Sequence, residues 1–110
     1  MPRPRPGEVW IADLGLSAKI RPVIIVSRLD TDPPRELVLY VPLTTQGRGG
    51  TYEVPITGAP FLDRDSVAKG LGSLATVRLE RKLGALLNDV MRRLKATLAF
   101  TLELEQAPLH

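Results

Sequence analysis

The chain has no cysteine, and its one histidine is the last of its 110 residues, His110. Without thiols there is no disulfide framework and no thiolate nucleophile, a composition that fits a reducing cytoplasm. A zinc site and a histidine-based triad both lack their parts. Aromatics are scarce, with one Trp, two Tyr and two Phe, too few to line a peptide groove of the SH3-ligand kind. No apolar run approaches the roughly 20 residues that span a bilayer. The opening Met1-Pro2-Arg3-Pro4-Arg5-Pro6 lacks the apolar core of a secretory signal. The expectation is a cytoplasmic protein that needs no metal or other cofactor. Asp30 and Asp32 hint at a cation loop, but Pro33-Pro34 stands where further oxygen ligands would be needed, so a solvated turn is the expectation.

What remains is an ordinary globular composition, 44% hydrophobic and 25% charged, with a net charge of +3. The length suits one domain and one core, expected over residues 7–104, with an extended arm at 1–6 and a tail at 105–110. Basic residues (Arg21, Arg28, Arg48, Lys69, Arg78, Arg81 and Lys82) lie among the expected strands and loops. Two acids, Glu103 and Glu105, sit near the C-terminus. This is either a mildly polyanion-binding surface or a mixed solvated one.

Val23 to Val26 is an unbroken β-branched run, too short for an independent helix and suited to a strand buried on both faces. Pro22 pushes Arg21 into extended backbone, so a guanidinium is held at the mouth of a core strand. A second apolar run, Leu37 to Val41, stops at Pro42 and leads into Leu43-Thr44-Thr45-Gln46. An Arg facing two hydroxyls and an amide at paired strand ends would make a phosphate cradle. The competing reading is a solvated or ion-paired surface Arg.

Elsewhere, Glu8 to Asp13 alternates with Val9 and Ile11 on one face and Trp10 on the other. Gln46 to Gly50 is a glycine-rich loop without the Lys and Ser/Thr of a Walker sequence. It is either a flap over an extended ligand or a plain hairpin connection. Thr51 to Ile56 alternates, and Pro55 marks it as an edge strand. Ser66 to Leu74 reads as one strand with Gly70 and Gly72 signalling a bulge or close approach. A short basic helical turn is expected at Thr76 to Lys82. A terminal helix follows, with Asn88 as cap, Asp89 in the first turn, and Val90, Met91, Leu94, Leu98 and Leu102 on one stripe. The sum is an α+β fold: about five or six short antiparallel strands in a bent, partly open barrel with a C-terminal helix packed on it.

Four blocks in order, Gly7 to Leu14, Arg21 to Ser27, Val41 to Gln46 and Tyr52 to Ile56, resemble the MazF/PemK (Kid) toxins of bacterial type II toxin–antitoxin systems. The resemblance runs over residues 7 to 102. It implies an SH3-like barrel, a homodimer, sequence-specific and metal-independent cleavage of single-stranded RNA, usually messenger RNA, and inhibition by an antitoxin whose C-terminal tail fills the RNA groove. It also implies that Arg21 and Thr44 are the catalytic pair. Around them the candidate RNA contacts are Thr45, Gln46, Arg48, Lys19, Lys69 and Tyr52. Such chemistry suits these side chains, because a guanidinium fork matches the charge and shape of a phosphoryl group in its transition state.

The chain departs from the family pattern twice. The first connecting loop is short, Leu14 to Ile20, and the later strand reads Lys69-Gly70-Leu71-Gly72 where many relatives carry an Asp-Gln pair. In some members that Asp is the general base. The alternative reading is therefore a weak or inactive relative, or a CcdB-like gyrase-binding toxin on the same scaffold.

Overall fold

The computed structural model describes residues 3–15, 20–28 and 37–104. Lys19, the turn containing Asp30 to Pro34, and the tail 105–110 lie outside the described residues. The strands are β1 (Glu8–Asp13), β2 (Ile20–Ile25), β3 (Leu37–Thr44), β4 (Glu53–Ile56), β5 (Ser66–Lys69), β6 (Gly72–Ala75) and β7 (Leu79–Ala85), followed by helix α1 (Asn88–Thr101). All pairings are antiparallel, in the order β4-β5-β3-β2-β1-β7, with β6 also on β3. The sheet is bent but not closed, as the sequence led us to expect.

β2 is the centre of the packing. Val23, Ile24 and Ile25 are all wholly buried, and alternation sends them to opposite faces. Ile24 joins Val9, Val41, Leu43, Val54, Ile56 and Ala68 beneath Met91 and Leu94 of α1. Val23 and Ile25 join Ala12, Val38, Leu74 and Leu79 on the other face. Each such side chain contributes about 1.5–3 kcal/mol of burial. Pro55 lies on β4, an end strand of the sheet, where a missing N–H removes no ladder bond.

β3 differs from expectation in running straight through Pro42. The Val26 N–H donates to the Leu39 carbonyl at 3.0 Å. Alternation then makes Val23 and Pro42 a pair that exchanges no hydrogen bonds. Pro42 therefore turns its missing N–H away from β2, toward the opposite edge. On that edge β6 pairs with Leu37 to Tyr40 and β5 with Leu43 and Thr44, so Pro42 falls in the gap between two ladders.

Among the described residues there are seven strands rather than five or six. The expected Ser66 to Leu74 strand breaks at Gly70, whose φ of +91° suits glycine. A Cβ on Gly72 would stand 2.6 Å from the Tyr40 ring, so this glycine allows the close approach of β6 to β3. The expected helical turn holds only for Thr76–Arg78, a 3-10 turn. From Leu79 onward the backbone pairs with β1 instead, because the outer edge of β1 would otherwise be left without partners. Two register shifts bend this pair. Asn88 is not the cap of α1: Leu87 holds that position and no side chain caps the helix. Packing of Met91 and Leu94, both buried, rather than capping holds the helix in place.

Candidate functional site

Arg21 lies on β2 two residues before Val23, and so shares its face. It pairs with Ala12 of β1, which is wholly buried. The residue is half-buried, and its Nε is buried with no hydrogen-bond partner among the described residues. Such orphaned donors are uncommon and call for a physical reason. The β2–β3 ladder ends at Val23 and Pro42, since the next donor owed to β3 would be the absent N–H of Pro22. Carried two residues further, the same register sets Arg21 opposite Thr44, on one face of the sheet.

Thr44 is the last residue of β3 and pairs with Val67 of β5. Its Oγ1 accepts the Gln46 N–H at 3.1 Å. This local turn fixes the rotamer and leaves the hydroxyl hydrogen to donate outward.

The loop after Thr44 is held by Glu53, the first residue of β4. Its Oε1 accepts the N–H groups of Arg48 and Gly49, both at 2.9 Å, and its Oε2 accepts that of Arg48 at 3.1 Å. Lys69 Nζ stands 3.7 Å from Oε2, and the Glu53 side chain is only 7% exposed. The N–H of Gly49 above all, with that of Arg48 and the Lys69 charge, holds the carboxyl below its usual range against the opposing effect of burial. Gln46 and Arg48 are exposed on this loop.

The other sequence candidates are distributed more widely. Thr45 faces a groove of about 500 Å³ with Ile11, Pro22, Phe61, Arg64 and Arg81. Because Pro22 and Arg21 are consecutive on β2, this groove opens on the sheet face opposite the Arg21 side chain. Tyr52 and Lys69 border an apolar hollow of about 280 Å³ beside α1, with Leu71, Leu98 and Leu102. The Tyr52 ring lies 5.8 Å from that of Phe100. Thus Arg21 and Thr44 fall on the same sheet face by strand alternation beyond the end of the β2–β3 ladder, the 46–50 loop adjoins Thr44, and Thr45 and Tyr52 border other hollows.

A second carboxylate that the sequence did not single out braces the scaffold. Glu8 accepts from the Arg5 N–H and Trp10 Nε1, each at 3.0 Å, and pairs with Lys82 of β7 at 2.9 Å. Burial raises its pKa, but the bonds from Arg5, Lys82 and Trp10 outweigh that and leave it lowered. Among the described residues no cluster of three or more His, Cys, Asp or Glu side chains could hold a metal ion, and no helix is long and apolar enough to cross a membrane.

Residues 5–102 match the family model of the PemK-like, MazF-like toxins of type II toxin-antitoxin systems. Among solved structures, the chain is similar to an endoribonuclease in complex with its cognate antitoxin from a mycobacterial species (25% identity, 94% of this chain and 99% of that one, TM-score 0.81). It is also similar to the Mycobacterium tuberculosis toxin MazF-mt6 (29% identity, 89% and 98%, TM-score 0.79). MazF from Deinococcus radiodurans, at 20% identity, shares the fold over 94% of this chain and 100% of its own, with a TM-score of 0.78.

Proposed function

Since this chain belongs to the PemK-like, MazF-like toxin family of type II toxin-antitoxin systems, we propose that it is a sequence-specific, metal-independent endoribonuclease that cuts single-stranded RNA, with Arg21 and Thr44 as its catalytic pair. The observation that carries this reading is the Arg21 Nε, buried and without a partner among the described residues, on the sheet face that Thr44 shares by strand alternation. A small outward shift of the side chain would let an anionic phosphoryl oxygen satisfy it.

In this mechanism the RNA 2′-oxygen attacks the adjacent phosphorus, the bond from phosphorus to the 5′-oxygen breaks, and a 2′,3′-cyclic phosphate and a 5′-OH result. The 2′ proton leaves and the 5′-oxygen gains one. Negative charge builds on the non-bridging oxygens, where the Arg21 fork neutralises it and the Thr44 hydroxyl donates a hydrogen bond. Neither group is a base at neutral pH. The stretch Lys69-Gly70-Leu71-Gly72 offers no carboxylate, and Lys69 itself is paired with Glu53, so turnover is expected about 10²–10⁴-fold below that of a site with a working general base.

A homodimer is part of the proposal. Its support is the apolar surface around the α1 hollow, where Tyr52, Leu71, Phe100 and Leu102 are all exposed. A cognate antitoxin whose C-terminal tail fills the RNA groove is the other proposed partner; the similar mycobacterial endoribonuclease is in complex with its cognate antitoxin.

The test is incubation of purified protein with a long single-stranded RNA in EDTA, beside Arg21→Ala and Thr44→Val. Cleavage leaving cyclic phosphate ends, abolished by the first variant and slowed about 100-fold by the second, is the expected result. Intact RNA with the wild-type protein, or undiminished cleavage by Arg21→Ala, would overturn the reading. Intact RNA together with growth arrest on expression would favour a gyrase-binding or other non-nuclease toxin instead.

A further inference from the structure

We propose that Glu53 is the positioning residue of this site, tying down the Gln46–Gly50 loop so that Thr44 and Gln46 are presented to RNA in one fixed geometry. The inference rests on the endoribonuclease reading for its catalytic consequence, though not for the anchoring itself.

Gly47, Gly49 and Gly50 give this five-residue loop wide backbone freedom, yet it leaves β3 directly after the proposed catalytic hydroxyl. Two attachments remove that freedom. At its start, Thr44 Oγ1 accepts the Gln46 N–H at 3.1 Å. At its end, the Glu53 carboxylate gathers the N–H groups of Arg48 and Gly49, and the Glu53 N–H donates to the Gly50 carbonyl at 3.2 Å. Consecutive N–H groups turned to one point form an anion-binding concavity. Here a carboxylate of the chain itself fills it, so the glycine-rich loop is not a phosphate cradle.

The same knot explains Gly47 and Lys69. A Cβ on Gly47 would lie 2.9 Å from Glu53 Oε1 and 2.7 Å from Val67 Cγ2, so only glycine lets the loop close onto the carboxylate. Lys69 is the strand partner of Glu53, and its charge faces that carboxylate rather than a ligand. Val67 in turn pairs with Thr44. The knot and the catalytic threonine thus share one strand, β5, through which a shift at Glu53 reaches Thr44. Displacement of about 1 Å at a reacting group costs on the order of 100-fold in rate.

The experiment uses the intact protein, with Glu53→Gln and, separately, Gly47→Ala. Each is measured for thermal midpoint, amide exchange at Arg48 and Gly49, and the kcat and KM of RNA cleavage. In both variants these two amides should exchange at least tenfold faster while the midpoint moves only a few degrees. kcat should fall about 10–100-fold, with KM unchanged or lower in Glu53→Gln because Lys69 is released toward the RNA. The two substitutions break one knot, so the double variant should be no slower than the worse single one.

Unchanged exchange at Arg48 and Gly49 would overturn the anchoring. Faster exchange with kcat intact would overturn the positioning role. If the wild-type protein cuts no RNA, the nuclease reading fails and the catalytic half of this proposal falls with it, while the exchange rates still decide the anchoring.

Discussion

Replacing Arg21 by Met should make the protein more stable and inactive at once. The Met stem follows much of the path of the Arg stem and keeps its packing against the sheet. The substitution removes a charged group whose Nε is buried without a partner. An unsatisfied buried donor costs about 1–3 kcal/mol. Arg21 is half-buried rather than sealed, which favours the low end, about 1 kcal/mol. For a domain of this size that corresponds to a rise in Tm of about 4 °C. Thermal unfolding followed by circular dichroism, at one fixed protein concentration because a dimer would link stability to concentration, reads the first effect. The RNA cleavage assay reads the second. A midpoint lowered by more than about 2 °C would show that the guanidinium supports the fold, and would refute the argument that it stands ready for an anion.

Three further outcomes follow from the packing and the carboxylates. Leu94→Ala, on the buried face of α1 and 2% exposed, should cost about 2–5 kcal/mol in urea unfolding and loosen the helix. Gly72→Ala should cost about 1–3 kcal/mol because its Cβ would press on the Tyr40 ring; combining it with Tyr40→Leu should return part of that, measured as a double-mutant cycle. Glu8 has a folded pKa below its ordinary 4.5, so its contribution is fully present above that value and fades as pH falls through the lower, folded one. Urea midpoints measured from pH 3 to 7 should therefore show a smaller acid-side decline in Glu8→Gln, with about 1 kcal/mol lost at neutral pH.

Local residue order dictated where the chain must be extended, where it must turn and which strand must be buried on both faces. A β-branched run such as Val23 to Ile25 has no comfortable surface position, and Pro22, Pro55 and the glycines act within a residue or two of themselves. It also brought Arg21 and Thr44 into consideration, through the order of four short blocks. Which segments meet is settled by the packing of the folded sheet. Pro42 reads locally as a stop, yet β3 passes through it because its missing N–H falls between two partner strands. Thr76 to Lys82 looks helical until the unpaired edge of β1 claims Leu79 onward. Glu53 carries no local signal, since its role lies in amides four and five residues back along the chain and in a lysine across the sheet. Short-range sterics can be read from neighbouring letters, whereas hydrogen-bond partners chosen across a sheet exist only once the sheet has formed.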